Sequence, residues 1–240
     1  MPSTPNRYQG SGRRRLYLVR HGHVNYFDAA GHPLDPRSVP LSAEGEVQVQ
    51  ALNSILQGVA FDRAYSSNYP RAVQTLDMVL AGRSDSCVTE STAALREIRA
   101  GRLSQMPQES YDTEVADAYH WSQKPETGFL RGERWDDFSA RVLEWFDTLL
   151  ADPSWKSAVI ASHDAVNRVL ISWLMSGDLS SLPFLEQDHA CLNIVDVDRR
   201  TADGSVKAYL RLLNHTPYNA IKSGERSTVM ERIAQSMLSM

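Results

Sequence analysis

The sequence predicts an α/β protein with a mostly parallel central sheet, helices on both faces and an inserted helical or lid segment. Three observations point there. Short, β-rich apolar runs alternate with longer stretches of helical periodicity. Two of the apolar runs stop abruptly at a histidine, as buried strands do where polar chemistry gathers at their carboxyl ends. Between residues 100 and 134 the alternation lapses into a polar stretch punctuated by Pro107, Pro125, Gly128 and Gly132.

Met1 to Arg14 reads as a disordered polar tail, so one domain is expected over residues 15–240, with the insert around 100–134. Leu16-Tyr17-Leu18-Val19 is the first strand. Ser42 is a good N-cap for a helix carrying Val47, Leu52, Ile55 and Leu56. A strand follows over Phe61 to Tyr65. Pro70 then starts a helix through Ala72, Val73, Leu76, Val79 and Leu80, ending near Gly82. Cys87 to Thr89 is a short strand. After the insert, Trp135, Phe138, Val142, Trp145, Phe146 and Leu149 form the strongest helical stripe, read as core packing. Ala158 to Ala161 is a strand, and Asp164 opens a helix through Val166, Val169, Leu170, Trp173 and Leu174. Strands at Cys191 to Val197 and Val206 to Leu213 complete the sheet. Thr228 and Glu231 have the spacing of a capping box for a last helix bearing Val229, Ile233 and Met237, placed to dock on the core or on a partner.

The chain has 240 residues, 25 basic against 29 acidic, and a formal charge of −4. It carries no global basic field, which argues against a dedicated nucleic-acid binder and against attraction to anionic lipid. Cys87 and Cys191 are too few for a disulfide scaffold and lack metal or redox spacing, which fits a reducing cytoplasm. The longest nearly uncharged apolar run, Val169 to Gly177, is too short to span a bilayer, and the amino terminus lacks the apolar stretch of a signal peptide.

Four segments carry chemistry. Arg20-His21-Gly22 follows the first strand directly. Ser66 to Thr75 places Arg71 in the first turn of a helix just after a strand end, a natural site for an oxyanion. Ser162-His163-Asp164 repeats the strand-to-histidine pattern before a helix. Leu95 to Gly101 places Glu97 just ahead of the insert. Cations from several strand ends with one added carboxylate suggest phosphoryl chemistry with a proton donor.

These segments resemble the histidine phosphatase superfamily, in its phosphoglycerate-mutase-like branch. The resemblance runs from Leu16 to His215 and rests on Arg20-His21-Gly22, on Leu41-Ser42 with Gly45 and Gln48, on Ser66-Ser67 with Arg71-Ala72 and Gln74-Thr75, and on Ser162-His163. It implies that His21 is the phosphate-accepting nucleophile, that Arg20, Arg71 and His163 hold the phosphoryl oxygens, and that Glu97 is the acid/base. It also implies that neither metal nor cofactor is used. The sequence departs from the family where His23, Val24 and Phe27 replace its usual residues. Asn25, two positions off register, is carried as the substitute phosphate contact, and His23 reads as a rim residue. Asp164 stands where the family usually has glycine and is expected to cap the next helix and point away from the phosphate. Asn193 and Asn214-His215-Thr216 fall near the pocket or in ordinary strand and turn bonding.

The expected activity is therefore that of a phosphomonoesterase, metal-independent and acting through phospho-His21 on a small phosphorylated metabolite. The alternatives are a phosphoglycerate-mutase-type phosphotransferase, disfavoured by the absence of Glu-Arg-His-Tyr-Gly around Glu97, and a weakly catalytic phospho-ligand binding module. Neither nucleic acid nor membrane is an expected partner, and a homodimer is allowed. Substrate contacts are sought in Tyr26 to Val39 and among Arg99, Arg102, Tyr111, Tyr119, Trp121 and Arg131.

Overall fold

The computed structural model describes residues 12–32, 34–84, 87–101, 106–198 and 206–238. Most of the expected tail and Arg102 lie outside the described residues. Six strands, β1 (Arg14–Arg20), β2 (Arg63–Ser67), β3 (Val88–Thr92), β4 (Ser157–Ser162), β5 (Leu192–Val197) and β6 (Ala208–His215), form one sheet. Their order is β3-β2-β4-β1-β5-β6. β1 runs parallel to β4 and β2 parallel to both β3 and β4, while β5 runs antiparallel to β1 and to β6. The mostly parallel α/β architecture is as the sequence predicts.

Alternation along the buried strands divides the core. Tyr17 and Val19 face helices α1 (Ala43–Leu56) and α2 (Pro70–Leu80), packing with Val49, Leu52, Leu76 and Val79. Leu16 and Leu18 face helices α3 (Trp135–Ala151) and α4 (Asp164–Ser176), where Phe138, Val142, Phe146, Val166 and Leu170 fill the larger cluster. Helix α5 (Val229–Leu238) joins this second face through Met230 and Ala234, so the last helix docks on the core. Its capping box is present: Thr228 Oγ1 accepts from Glu231 N at 3.1 Å, and Glu231 Oε2 accepts from Thr228 N at 2.6 Å. Val229 is buried and Ile233 is partly exposed, while the side chain of Met237 lies outside the described residues.

Three details differ from the sequence reading. β1 takes in Arg14, because its guanidinium donates to Leu150 O and Asp152 O, both at 2.8 Å, and stacks 4.2 Å from Trp155. Val47 and Ile55 of α1 face solvent, while Gly45, Gln48, Val49, Leu52, Asn53 and Leu56 face inward. Gly45 sets that rotation: a Cβ there would stand 2.2 Å from His23 O, so only glycine lets the helix approach this close. Finally, the insert is helical, as expected, but its polar sequence hides a buried side: residues 106–134 form short single-turn helices around Tyr111–Val115, His120–Gln123 and Phe129–Arg131, with Val115, Ala118, Tyr119, Phe129 and Leu130 buried in the α3/α4 face. Among the described residues no helix is long and apolar enough to cross a membrane.

Candidate active site

The parallel register of β1 and β4 pairs Arg20 with Ser162, so the next residues, His21 and His163, emerge side by side with ring centroids 5.1 Å apart. β2, paired to the other side of β4, delivers Asn68 to Arg71 to the same edge. Pro70 occupies the first helical turn, where its missing N–H costs nothing, and Arg71 beside it is buried. Gly22 packs against α1, since a Cβ there would meet Gly45 O at 2.6 Å. The loop is pinned by side chains of the recognised motifs: Gly22 N donates to Thr75 Oγ1, His23 N to Gln48 Oε1, and Leu41 N to Gln74 Oε1. Ser42 caps α1 as expected, accepting from Gly45 N at 3.1 Å.

His21 is 2% exposed, and its tautomer follows from its partners. Nδ1 lies 2.7 Å from the Gly22 carbonyl, which only accepts, so Nδ1 carries the proton. Nε2 therefore holds the lone pair and accepts from Arg71 Nε at 3.1 Å. Burial, then the nearby Arg71, His163 and Arg20, push the imidazole well below the ordinary histidine range, so it is neutral and nucleophilic at neutral pH. His163 is fully buried and likewise held neutral by burial and the same arginines, yet neither of its ring nitrogens has a hydrogen-bond partner. The N–H of this neutral ring is costly to bury unless an acceptor such as an anion's oxygen engages it.

Arg20 donates through Nη1 to Gln187 O at 2.5 Å and approaches His189 Nε2 with Nη2 at 3.3 Å. Arg71 also donates through Nη1 to Pro36 O, which ties Pro36 to the site. Glu97 reaches the amino terminus of α4, where Oε2 accepts from Ala165 N at 3.4 Å, while Oε1 accepts from Ile98 N at 2.9 Å. Burial and the neighbouring Asp164 carboxylate raise its pKa to about 7, against the opposing pull of the Ile98 amide, Arg20 and Arg71. The Arg96 side chain donates to Asn68 Oδ1 at 2.7 Å.

The structure thus brings together Arg20, His21, Arg71, Glu97 and His163. It leaves Asn25 exposed and outside the hydrogen bonds that join them. Asp164 departs from expectation. The N-cap of α4 is His163, and Asp164 is the first helical residue, buried, with Oδ1 2.6 Å from Arg168 Nε and Oδ2 3.7 Å from Arg20 Nη1. Two flanking guanidiniums, rather than solvent, settle where this carboxylate points. Asn193 bonds inside the protein, donating to Leu18 O and Gln187 Oε1. Of the proposed substrate contacts, Tyr119 is buried and Arg131 is paired with Glu114 at 2.5 Å, whereas Trp121 is exposed. Among the described residues no three histidine, cysteine or carboxylate side chains are grouped to hold a metal ion.

The sequence reading missed His189. Its ring lies 5.7 Å from His21 and 5.2 Å from His23, and burial with Arg20 keeps it neutral. The available signal was a histidine just ahead of an apolar strand. β5 runs antiparallel to β1, so its amino-terminal end, not its carboxyl end, borders the site.

The family model for the histidine phosphatase superfamily (branch 1) matches residues 16–207. The chain belongs to this superfamily. It is 27% identical over 208 residues to an adenosylcobalamin/α-ribazole phosphatase of Escherichia coli (strain K12), covering 83% of this chain and 95% of that protein. The crystal structure of the α-ribazole phosphatase from Shigella flexneri superposes with a TM-score of 0.66 at 26% identity, covering 83% of this chain and 96% of the other. The mycobacterial glucosyl-3-phosphoglycerate phosphatase solved with inorganic phosphate gives 0.67 at 20% identity over 85% and 98% of the two chains, a likeness of fold. Arg20, His21 and His163 come from strand ends, Arg71 from the first turn of α2, and the Glu97 carboxyl from the segment before the insert.

Arg71→Ala is expected to raise KM and lower kcat together, because a guanidinium beside His21 Nε2 would touch the phosphoryl group before and during transfer. Arg71→Lys should restore part of the loss, since an ammonium supplies charge without the planar fork. Steady-state kinetics of both variants check this; full rescue by lysine would show that charge alone matters.

Proposed function

We propose that the protein is a phosphomonoesterase that hydrolyses a small phosphorylated metabolite through a phosphohistidine on His21, with no metal or cofactor. The observation that carries this reading is the His21 ring itself: neutral, its tautomer locked by Gly22 O, its Nε2 lone pair facing Arg71 beside the unpartnered His163. Such a ring is an activated nucleophile next to cationic and hydrogen-bonding groups for the phosphoryl oxygens.

In the first step the Nε2 lone pair forms a bond to phosphorus as the bond from phosphorus to the leaving oxygen breaks. Arg20, Arg71 and His163 hold the three oxygens of the transferring group. The leaving oxygen keeps the electron pair and takes the proton of Glu97, whose raised pKa keeps a protonated fraction at neutral pH. In the second step a water gives its proton to the Glu97 carboxylate and bonds to phosphorus, and the electrons of the P–N bond return to Nε2. Phosphate leaves, and Glu97 is again protonated.

The relatives named for α-ribazole, one of them a solved Escherichia coli structure described for α-ribazole-5′-P, make α-ribazole 5′-phosphate the first compound to test, within a panel of phosphorylated metabolites read by released phosphate. Activity is expected to survive exhaustive chelation and to be inhibited by vanadate, because the arginine guanidiniums, rather than a divalent ion, supply the positive charge that the phosphoryl group needs. Loss with EDTA and recovery with Mg²⁺ or Zn²⁺ would overturn the metal-free mechanism. A cytoplasmic setting belongs to the same proposal: Cys87 and Cys191 are both unpaired thiols, suited to a reducing compartment.

A further inference from the structure

The loop Glu186–His189 holds Arg20, and it is itself held from the carboxyl-terminal part of the chain. Gln187 O accepts from Arg20 Nη1, and His189 Nε2 accepts from Nη2, since a guanidinium can only donate. Between these two residues stands Asp188, a buried residue whose carboxylate is held by a cluster of donors. Lys222 Nζ lies 2.8 Å from Asp188 Oδ2, Asn214 Nδ2 2.9 Å from the same oxygen, and Arg232 Nη2 3.1 Å from Oδ1. Asn214 Oδ1 also accepts from Asp188 N at 2.8 Å. On either side, Tyr218 donates its hydroxyl to His189 O at 2.7 Å, and Val229 N, at the start of α5, donates to Glu186 Oε2 at 3.0 Å.

All of these anchoring residues lie beyond residue 207, where the match to the superfamily ends. We propose that Asp188 is a positioning residue for Arg20, clamped by Lys222 and Arg232 so that the carboxyl-terminal segment sets the pose of a phosphate-binding guanidinium. The clamp acts through the backbone. A carboxylate fixed by two cations and an amide holds the peptide units on both sides of it: the preceding unit carries the Gln187 carbonyl that accepts from Arg20 Nη1, and the following one places the Cα from which the His189 ring reaches Nη2. Cations at partly exposed positions would contribute little as isolated surface pairs, but here they converge on one buried carboxylate whose backbone they immobilise. The inference rests on the proposed function only in taking Arg20 as a phosphate ligand.

The test reads phosphate binding rather than turnover. Titration calorimetry with inorganic phosphate and with vanadate is performed on the wild type, Asp188→Asn, Arg20→Ala and the double variant. Asp188→Asn is expected to weaken binding by on the order of tenfold, and the same replacement in the Arg20→Ala background by less than about twofold, because its effect passes through Arg20. A merely structural role would give equal losses in both backgrounds, and that result overturns the proposal. Should Asp188→Asn fail to fold, Lys222→Met combined with Arg232→Met removes the clamp from partly exposed positions. Weaker phosphate binding, recovered by Lys222→Arg with Arg232→Lys, supports the proposal; unchanged binding overturns it. A wild type that binds phosphate but hydrolyses no phosphomonoester would overturn the phosphatase reading, while the same binding cycle would still decide the clamp.

Discussion

His21→Ala is expected to lose turnover by on the order of 10⁴-fold or more while keeping its fold. The loss follows from the nucleophile: His21 Nε2 faces the Arg71 guanidinium while Nδ1 is fixed on the Gly22 carbonyl, a pairing that no other histidine among the described residues shows. The fold should persist because the local backbone bonds do not involve the ring. His21 N still donates to Ser162 O and Ala190 N to His21 O, each at 3.0 Å. The cost is one small cavity and an unpaired Arg71 Nε, worth about 1–3 kcal/mol. Thermal melting and phosphate release on the same preparation check both halves. A folded His21→Ala protein with normal turnover would remove His21 as the nucleophile.

The second large effect concerns Glu97. With its pKa raised to about 7, the carboxyl is protonated below that pH and ionised above it. Donation to the leaving oxygen needs the protonated form, so phosphorylation by an alkyl phosphate is expected to fall about tenfold per pH unit above 7. The acid side is spared, because burial and the arginines hold His21 neutral well below the ordinary histidine range. Glu97→Gln should erase the alkaline limb and slow an alkyl phosphate by on the order of 10²-fold or more, while an aryl phosphate with a nitrophenolate leaving group loses far less. Single-turnover phosphorylation of both substrates across the pH range checks this. Equal losses would remove Glu97 as the acid. Asp164 is then the next carboxylate to test, since Glu133 is turned toward Arg99 N and Arg141.

The sheet and its five helices were legible in the sequence because their signals are local: a β-rich run ending at Arg20, a proline opening α2, a capping box before α5. The convergence of His21, Arg71 and His163 was legible for a related reason, since parallel strands place carboxyl ends at one edge. What escaped depends on tertiary placement. Gly45 carries no hydrophobic signal, yet its contact with His23 O turns α1 and sends Val47 and Ile55 to solvent. The direction of Asp164 is settled by Arg168, one turn along α4, and by Arg20 from another strand, while a capping rule looks only at its neighbours. His189 sits at the wrong end of an antiparallel strand for a rule framed on parallel ones.

Phosphoryl transfer to His21 Nε2 is the central step of the proposed reaction. The direct measurement is a rapid acid-free quench of the enzyme during turnover of a ³²P-labelled substrate, followed by peptide mapping at alkaline pH. The expected result is base-stable, acid-labile label on the peptide containing His21, formed as fast as the first leaving group is released and absent from His21→Ala. Acid-stable label, label on another residue, or a burst of leaving group with no labelled protein would contradict it.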